Sequence, residues 1–368
     1  MDRRKAIAND NLEAPGIALP AGHSAPMSAV STTLATPHLV DRPNGDWQMQ
    51  LRQAFRRLPD LLAHLQLAPA QLPALRADAM HFPLLVPRAF AARMRPGDPH
   101  DPLLWQVLPL AAEARAGQGE TLDPVGDKAS ERSLGMLQKY RGRALLLTTA
   151  ACAIHCRYCF RQHYDYAASN AARGDWHEVV AAIASDSTIH EVILSGGDPL
   201  SLSTERLRRL TDQLRQIPHL RRLRIHTRWP VVLPDRVDRE LLDWLGELPW
   251  PVTIVVHANH PAEIDAAVSS ACQALRRSGA WLLNQSVLLA GVNDDADCLA
   301  ALSDALQQAG VLPYYLHLLD PVAGAGRFRV GERRGRALIA ELRARLPGYL
   351  VPRLAREKAG EAAKLVLA

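Results

Sequence analysis

The rhythm of hydrophobic and polar positions changes near residue 143 of this chain. Before it, Trp47–Ala79 places Leu51, Phe55, Leu58, Leu61, Leu62 and Leu65 at helical spacing and predicts small helices. Between Pro83 and Pro109, prolines as in Val86-Pro87 and Asp98-Pro99 break every pattern, so short helices and turns are expected. From Arg143 onward, apolar runs rich in Leu, Val and Ile cover Ala144–Thr148, Glu191–Leu194, Leu223–Thr227, Val252–His257, Leu282–Leu289 and Tyr314–Leu319. Amphipathic helical stretches alternate with them: Trp176–Ala184, Thr204–Gln216, Pro234–Leu245, Ala262–Ser278, Asp297–Ala309 and Glu332–Leu346.

Strands that are apolar throughout and alternate with helices imply a parallel sheet covered on both faces. Six such units predict an α/β fold, a partial (β/α)6 barrel that curves like a full eight-unit barrel but stays open. In barrels of this kind the reactive groups lie at the C-terminal ends of the strands. The organisation read from the pattern is a poorly ordered tail over 1–45, a helical region over 46–140, the barrel over 141–346, and a C-terminal segment over 347–368.

Composition narrows the class. At 48% hydrophobic and 22% charged, the 368 residues can bury a large core. No run approaches the roughly 20 apolar residues of a membrane span. The N-terminus is interrupted by Asp10, Asn11 and Glu13 and forms no signal-peptide core, so a cytoplasmic location is expected. The net charge of +5 is spread over surface helices without a block of like charge, as in a soluble enzyme and unlike a nucleic-acid binder. Only five of the 43 basic side chains are lysines: Lys5, Lys128, Lys139, Lys358 and Lys364.

Candidate chemistry falls at the strand ends. Past the first strand comes Cys152-Ala-Ile-His-Cys156-Arg-Tyr-Cys159, three of the five cysteines in eight residues, a ligand pattern and not a disulfide framework. Thiolates select zinc or iron–sulfur clusters. Zinc would need a fourth ligand, for which His155 or His163 stands nearby. A four-iron cluster on three cysteines keeps one iron open to an external ligand. The second strand ends in Ser195-Gly196-Gly197-Asp198, a turn where glycines permit close backbone approach; alone it reads first as an ordinary strand-to-helix turn. Later strands end in His226-Thr-Arg228, His257-Ala-Asn-His260 and His317-Leu-Leu-Asp320, and the fifth carries Asn284-Gln285-Ser286.

The CxxxCxxC loop with an aromatic residue before its last cysteine resembles the cluster loop of radical S-adenosylmethionine enzymes. Over residues 139–364 the chain further resembles lysine 2,3-aminomutases. It is most similar to the branch that makes (R)-β-lysine for modification of elongation factor P. The phrases that carry this are Val86-Pro-Arg-Ala-Phe90, Asp101-Pro-Leu-Leu104, Arg143-Ala-Leu-Leu-Leu147, Asn284-Gln-Ser-Val-Leu-Leu289, Pro313-Tyr-Tyr-Leu-His317 and Leu350-Val-Pro-Arg-Leu-Ala-Arg-Glu357.

The resemblance implies a radical S-adenosylmethionine barrel with three cofactors: a [4Fe-4S] cluster on Cys152, Cys156 and Cys159, S-adenosyl-L-methionine, and pyridoxal 5′-phosphate. It puts the methionyl amino group at Gly196, Gly197 and Asp198. It makes Lys364, after Gly360-Glu-Ala-Ala, the amine that carries the pyridoxal aldehyde, although the branch usually continues Thr-Pro where Leu365-Val366 stand here. Arg143, Lys139 and Gln285 are expected at the coenzyme phosphate. Arg161 should hold the substrate carboxylate, and Asp320 with Glu357 its distal ammonium; free-lysine members usually carry Asp where Glu357 stands. No C-terminal zinc cluster is expected, because no cysteine follows Cys298.

The reaction implied is transfer of the amino group of L-lysine from C2 to C3, begun by a 5′-deoxyadenosyl radical. A flavodoxin or ferredoxin would donate the electron, and a ligase for elongation factor P would consume the product; a homo-oligomer is compatible. Rival readings are an aminomutase for glutamate or arginine, a source of free β-lysine for secondary metabolism, and an iron–sulfur or zinc protein that binds RNA.

Overall fold

A computed structural model describes residues 46–75, 82–114, 117–169 and 173–368, and the tail expected over 1–45 lies outside that set. Ten strands among the described residues form one sheet, ordered as in the sequence. β1 (Glu131–Ser133) and β2 (Met136–Leu137) make a hairpin that joins β3 (Arg143–Thr149) antiparallel. From β3 the sheet runs parallel through β4 (Glu191–Gly196), β5 (Arg222–Thr227), β6 (Val252–Val256), β7 (Trp281–Leu288), β8 (Leu312–Leu318) and β9 (Arg353–Arg356). β10 (Leu365–Val366) returns antiparallel on β9. β1 and β10 stand at opposite edges, so the barrel stays open.

The six apolar runs correspond to β3–β8. β1, β2, β9 and β10 were not expected, since two to four residues are too few for a period to show. Helices His177–Ser185, Thr204–Leu214, Arg239–Gly246, Ala266–Arg277, Ala296–Gln308 and Glu332–Arg345 cross between parallel strands. Two of them start later than periodicity suggested. Asp238 and Asp265 sit in extended backbone, and each carboxylate accepts the amide three residues on at 2.8 Å. These N-caps set the starts, and short 3-10 turns occupy Pro234–Arg236 and Pro261–Glu263 before them.

Burial alternates with the pleat. On β5, Leu223 and Ile225 are buried, whereas Arg224 and His226 are half-buried; on β7, Leu282 and Leu288 contrast with Leu283, Gln285 and Val287. The buried row joins helix residues such as Ile183, Leu207, Leu210, Leu241 and Leu275 in the main core. A second core surrounds Leu288, Leu316, Leu338 and Leu354. The other row carries Arg143, Arg224, His226, Gln285, Tyr315 and His317, all half-buried. A barrel wall this polar and this accessible lines a site and not a dry core.

Candidate active site

The cysteine loop leaves β3 at its C-terminal end. Cys152, Cys156 and Cys159 are each half-buried, and the Cys159 amide turns back on the Cys156 carbonyl at 3.1 Å. The loop is pinned from outside the barrel: the His155 amide donates to Leu85 at 3.1 Å and the Arg157 amide to Gln106 at 2.8 Å. His155 itself stacks on Phe82 with its Nδ1 2.7 Å from the Pro83 carbonyl, and His163 Nε2 lies 2.9 Å from the Ala323 carbonyl. In each histidine one ring nitrogen is thus taken by a backbone carbonyl. Burial raises the Cys159 thiol to about 11, helped by Cys156, and raises Cys152 well above its ordinary value, helped by Asp198. A metal centre bound there would take up the thiolate charge. Among the described residues no three ligand side chains close around one ion position. Three thiol donors on one tight loop match the donor set of a four-iron cluster that keeps one iron open to an external ligand.

Arg228 follows β5 and reaches this loop, its Nη1 donating to Cys156 Sγ at 2.7 Å. Its Nη2 is held by Gln106 Oε1 at 2.7 Å and Glu263 Oε2 at 2.9 Å. The Glu263 carboxylate, fully buried, also accepts the Asn259 amide at 2.9 Å and Gln106 Nε2 at 3.0 Å. Burial alone would raise Glu263, but the Arg228 guanidinium holds it below its ordinary value.

The Gly196-Gly197-Asp198 turn packs on the first residues of the cysteine loop. A Cβ on Gly197 would come within 2.4 Å of the Ala151 carbonyl, and one on Gly196, at φ +120°, within 2.6 Å of the Thr149 carbonyl. The Gly197 and Asp198 amides donate to those same carbonyls at 2.7 and 2.8 Å. The glycines therefore answer to close contact between two backbone segments. Asp198 is likewise occupied: it accepts from Leu200 N at 3.1 Å, Thr227 Oγ1 at 2.7 Å and Arg228 N at 2.6 Å. Burial nevertheless lifts its carboxyl to about 6. These bonds tie the ends of β3, β4 and β5 into one platform beneath the sulfurs.

A second cluster joins residues from the two ends of the sheet. Glu357, just past β9, faces Lys364, just before β10, with Oε2 3.5 Å from Nζ. Pairing of Leu365 with Arg356 in the β9–β10 ladder creates this juxtaposition, so Leu365-Val366 serve as a strand. Lys364 Nζ also lies 3.4 Å from His317 Nε2 and 5.4 Å from the Tyr315 ring centre. Burial lowers its pKa, against the pull of Glu357 and Asp320. His317 stays neutral, its pKa far depressed by burial and by Lys364. A half-buried amine with a lowered pKa beside an aromatic ring fits the pyridoxal aldehyde.

Glu357 Oε1 lies 2.9 Å from Lys139 Nζ, which also approaches the Val125 carbonyl at 2.9 Å and Asp127 Oδ1 at 2.6 Å. An ammonium has three donors, and Lys139 would have to release one acceptor to reach a phosphate. Asp127 Oδ2 accepts from Arg161 Nε at 2.6 Å. Arg161, Lys139, Glu357 and Lys364 are thereby joined through Asp127, which sequence reasoning missed because it sits in a polar stretch without periodicity. Asp320, past β8, keeps Oδ1 buried without a hydrogen-bond partner. Burial and then Glu357 raise its carboxyl to about 7. Burial would raise Glu357 too, but Lys364 and Lys139 hold it below the ordinary range. Arg143 stands at the start of β3 with its guanidinium 5.5 Å from the Tyr140 ring centre. Gln285 on β7 is in register with Tyr315.

An open parallel barrel whose first strand runs into a CxxxCxxC loop defines a radical S-adenosylmethionine enzyme. Residues 141–225 match the family described as a 4Fe-4S single cluster domain. The chain is 44% identical to an L-lysine 2,3-aminomutase of Escherichia coli (strain K12), over 88% of this chain and 94% of that one. It is 42% identical to an L-lysine 2,3-aminomutase of Haemophilus influenzae, over 89% and 97%. To the L-lysine 2,3-aminomutase of Clostridium subterminale it is 32% identical, over 83% and 74%. The chain belongs to the lysine 2,3-aminomutase family, whose members are isomerases. Among the described residues no helix is long and apolar enough to cross a membrane.

Proposed function

We propose that this chain converts L-lysine to (R)-β-lysine, using a [4Fe-4S] cluster, S-adenosyl-L-methionine and pyridoxal 5′-phosphate. The observation that carries the reading is the Lys364–Glu357 juxtaposition beside the unpaired Asp320, with Arg161 at the far end of the same ion-pair chain. A diamino acid matches that polarity. Its carboxylate suits the Arg161 fork, and its distal ammonium suits Asp320 beside Glu357, since Asp320 is raised by that neighbour and its Oδ1 has no hydrogen-bond partner.

When bound, the cofactors supply a 5′-deoxyadenosyl radical and an aldehyde that conjugates the migrating nitrogen. The residues of the chain bind, orient and exclude water. Cys152, Cys156 and Cys159 would hold the cluster. Of the Gly196-Gly197-Asp198 turn, the Gly197 carbonyl would be the acceptor for the methionyl ammonium, because the Gly196 carbonyl already accepts from the Tyr166 hydroxyl at 2.9 Å and the Asp198 carbonyl from the Ser201 amide at 3.0 Å. Arg143 and Gln285 take the coenzyme phosphate, joined by Lys139 once it gives up one acceptor. Lys364 would carry the aldehyde, and burial favours the neutral amine needed for that.

Similarity to aminomutases named for lysine supports that substrate over glutamate or arginine. A second side-chain carboxylate, as in glutamate, would meet like charge at Asp320 and Glu357. The same similarity favours an enzyme over a metal-bearing RNA binder. We assign the product to modification of elongation factor P in the cytoplasm, with a flavodoxin or ferredoxin as reductant and a lysine ligase as next partner. The test is anaerobic reconstitution, reduction, and separate incubation with lysine, glutamate and arginine, with chiral product analysis. (R)-β-lysine from lysine alone is expected; faster turnover of glutamate or arginine would overturn the assignment.

A further inference from the structure

Asp127 is the one member of the ion-pair chain with no role so far. Its side chain is 1% exposed and both oxygens face cations at 2.6 Å, Oδ1 toward Lys139 and Oδ2 toward Arg161. Its backbone is pinned as well. The Asp127 amide donates to Asp123 Oδ1 at 2.8 Å, and Lys139 donates to the Val125 carbonyl at 2.9 Å. Gly126 between them takes φ +68°, and a Cβ there would come 2.9 Å from the Ala359 Cβ. A buried carboxylate held this firmly dictates where its partners lie.

What it dictates for Arg161 is an orientation. A guanidinium has five donors in one plane. Asp127 takes the donor on Nε, and Ser195 Oγ accepts from Nη1 at 3.3 Å. The Phe160 ring centre lies 4.7 Å from the guanidinium carbon. With one edge clamped and a ring alongside, the plane of the group is set, and its terminal donors can meet a carboxylate bidentately.

We propose that Asp127 is the positioning residue that sets the Arg161 fork for the α-carboxylate of the substrate, its other oxygen tying this end of the site through Lys139 to Glu357. The inference rests on reading Arg161 as the carboxylate-binding group. An ion pair that served stability alone would not distinguish substrates by their carboxylate.

The test compares the holoenzyme with Asp127→Asn, Asp127→Glu and Arg161→Lys. Dissociation constants are measured for L-lysine and for 1,5-diaminopentane, the same chain without the carboxylate. Asp127→Asn should weaken lysine by about tenfold or more, as loss of a charge-assisted bond implies, with 1,5-diaminopentane little changed. KM should rise more than kcat falls, and Asp127→Glu should recover part of the loss. Equal weakening of both ligands, or of neither, overturns the proposal. If Arg161→Lys binds lysine normally, the reading of Arg161 itself fails; if Arg161→Lys weakens lysine while Asp127→Asn does not, only the role of Asp127 fails. Should the Asn variant not fold, the same two-ligand comparison on Asp127→Glu decides, a selective loss for lysine being expected.

Discussion

Glu357 holds two lysines at once, Lys139 at 2.9 Å through Oε1 and Lys364 at 3.5 Å through Oε2. One carboxylate thus couples an amine just ahead of the barrel to the amine just before its last strand. The arrangement leaves Asp320, which influences the same groups, as the acid without a partner. The electrostatics of the site are therefore poised for an incoming cation, and several measurable consequences follow from that.

The first concerns pH. The Asp320 carboxyl sits at about 7 in the folded protein, from an ordinary 3.8, because it is buried and faces Glu357. A substrate ammonium pairs with the ionised form, so kcat/KM for lysine should fall about tenfold per unit as pH drops below this value. Asp320→Asn should lower kcat/KM throughout and remove that limb. A wild-type profile flat down to pH 5 would contradict the assignment.

Stability carries the opposite sign. Between pH 3.8 and about 7 the folded state holds a proton on Asp320 that the unfolded chain has lost, so stability falls as pH rises through this window. Asp320→Asn should raise the melting temperature of the cofactor-free protein more at pH 8 than at pH 5. Calorimetry at the two pH values checks it.

The glycine platform makes a separate prediction. Gly197→Ala places a Cβ against the Ala150 and Ala151 backbone at 2.4–2.6 Å and must push the cysteine loop aside. Iron incorporation on reconstitution should drop, whereas Gly246→Ala, with nothing within 4 Å of its Cβ, should load normally. Equal iron in both would show that the platform does not position the loop.

Arg228 and Glu263 form a buried pair. Arg228→Met removes the cation and leaves Glu263 uncompensated, which costs about 3–5 kcal/mol in comparable breaks. Denaturant unfolding of the cofactor-free protein measures this. A loss under 1 kcal/mol would place the pair among the ornamental ones.

The parallel strands were legible because each is a long apolar run between amphipathic helices. Lys364 and Glu357 were legible only by resemblance, since nothing in periodicity says that β10 returns on β9. Asp127 was invisible for a different reason. It lies among Asp123, Gly126 and Lys128, where a polar loop is the natural reading, and only the fold brings Arg161 and Lys139 to it. Gly196 and Gly197 were recognisable as constrained, yet the constraint is the neighbouring backbone, a contact between segments nearly fifty residues apart.

The central claim, that this barrel moves the nitrogen of lysine by one carbon, is tested by following the label from L-[2-15N]lysine. Reduced, fully reconstituted enzyme should yield β-lysine with the 15N on C3, and Lys364→Ala, its iron intact, should yield none. Label that remains on C2, or product formed at an undiminished rate by the Lys364 variant, would contradict the account.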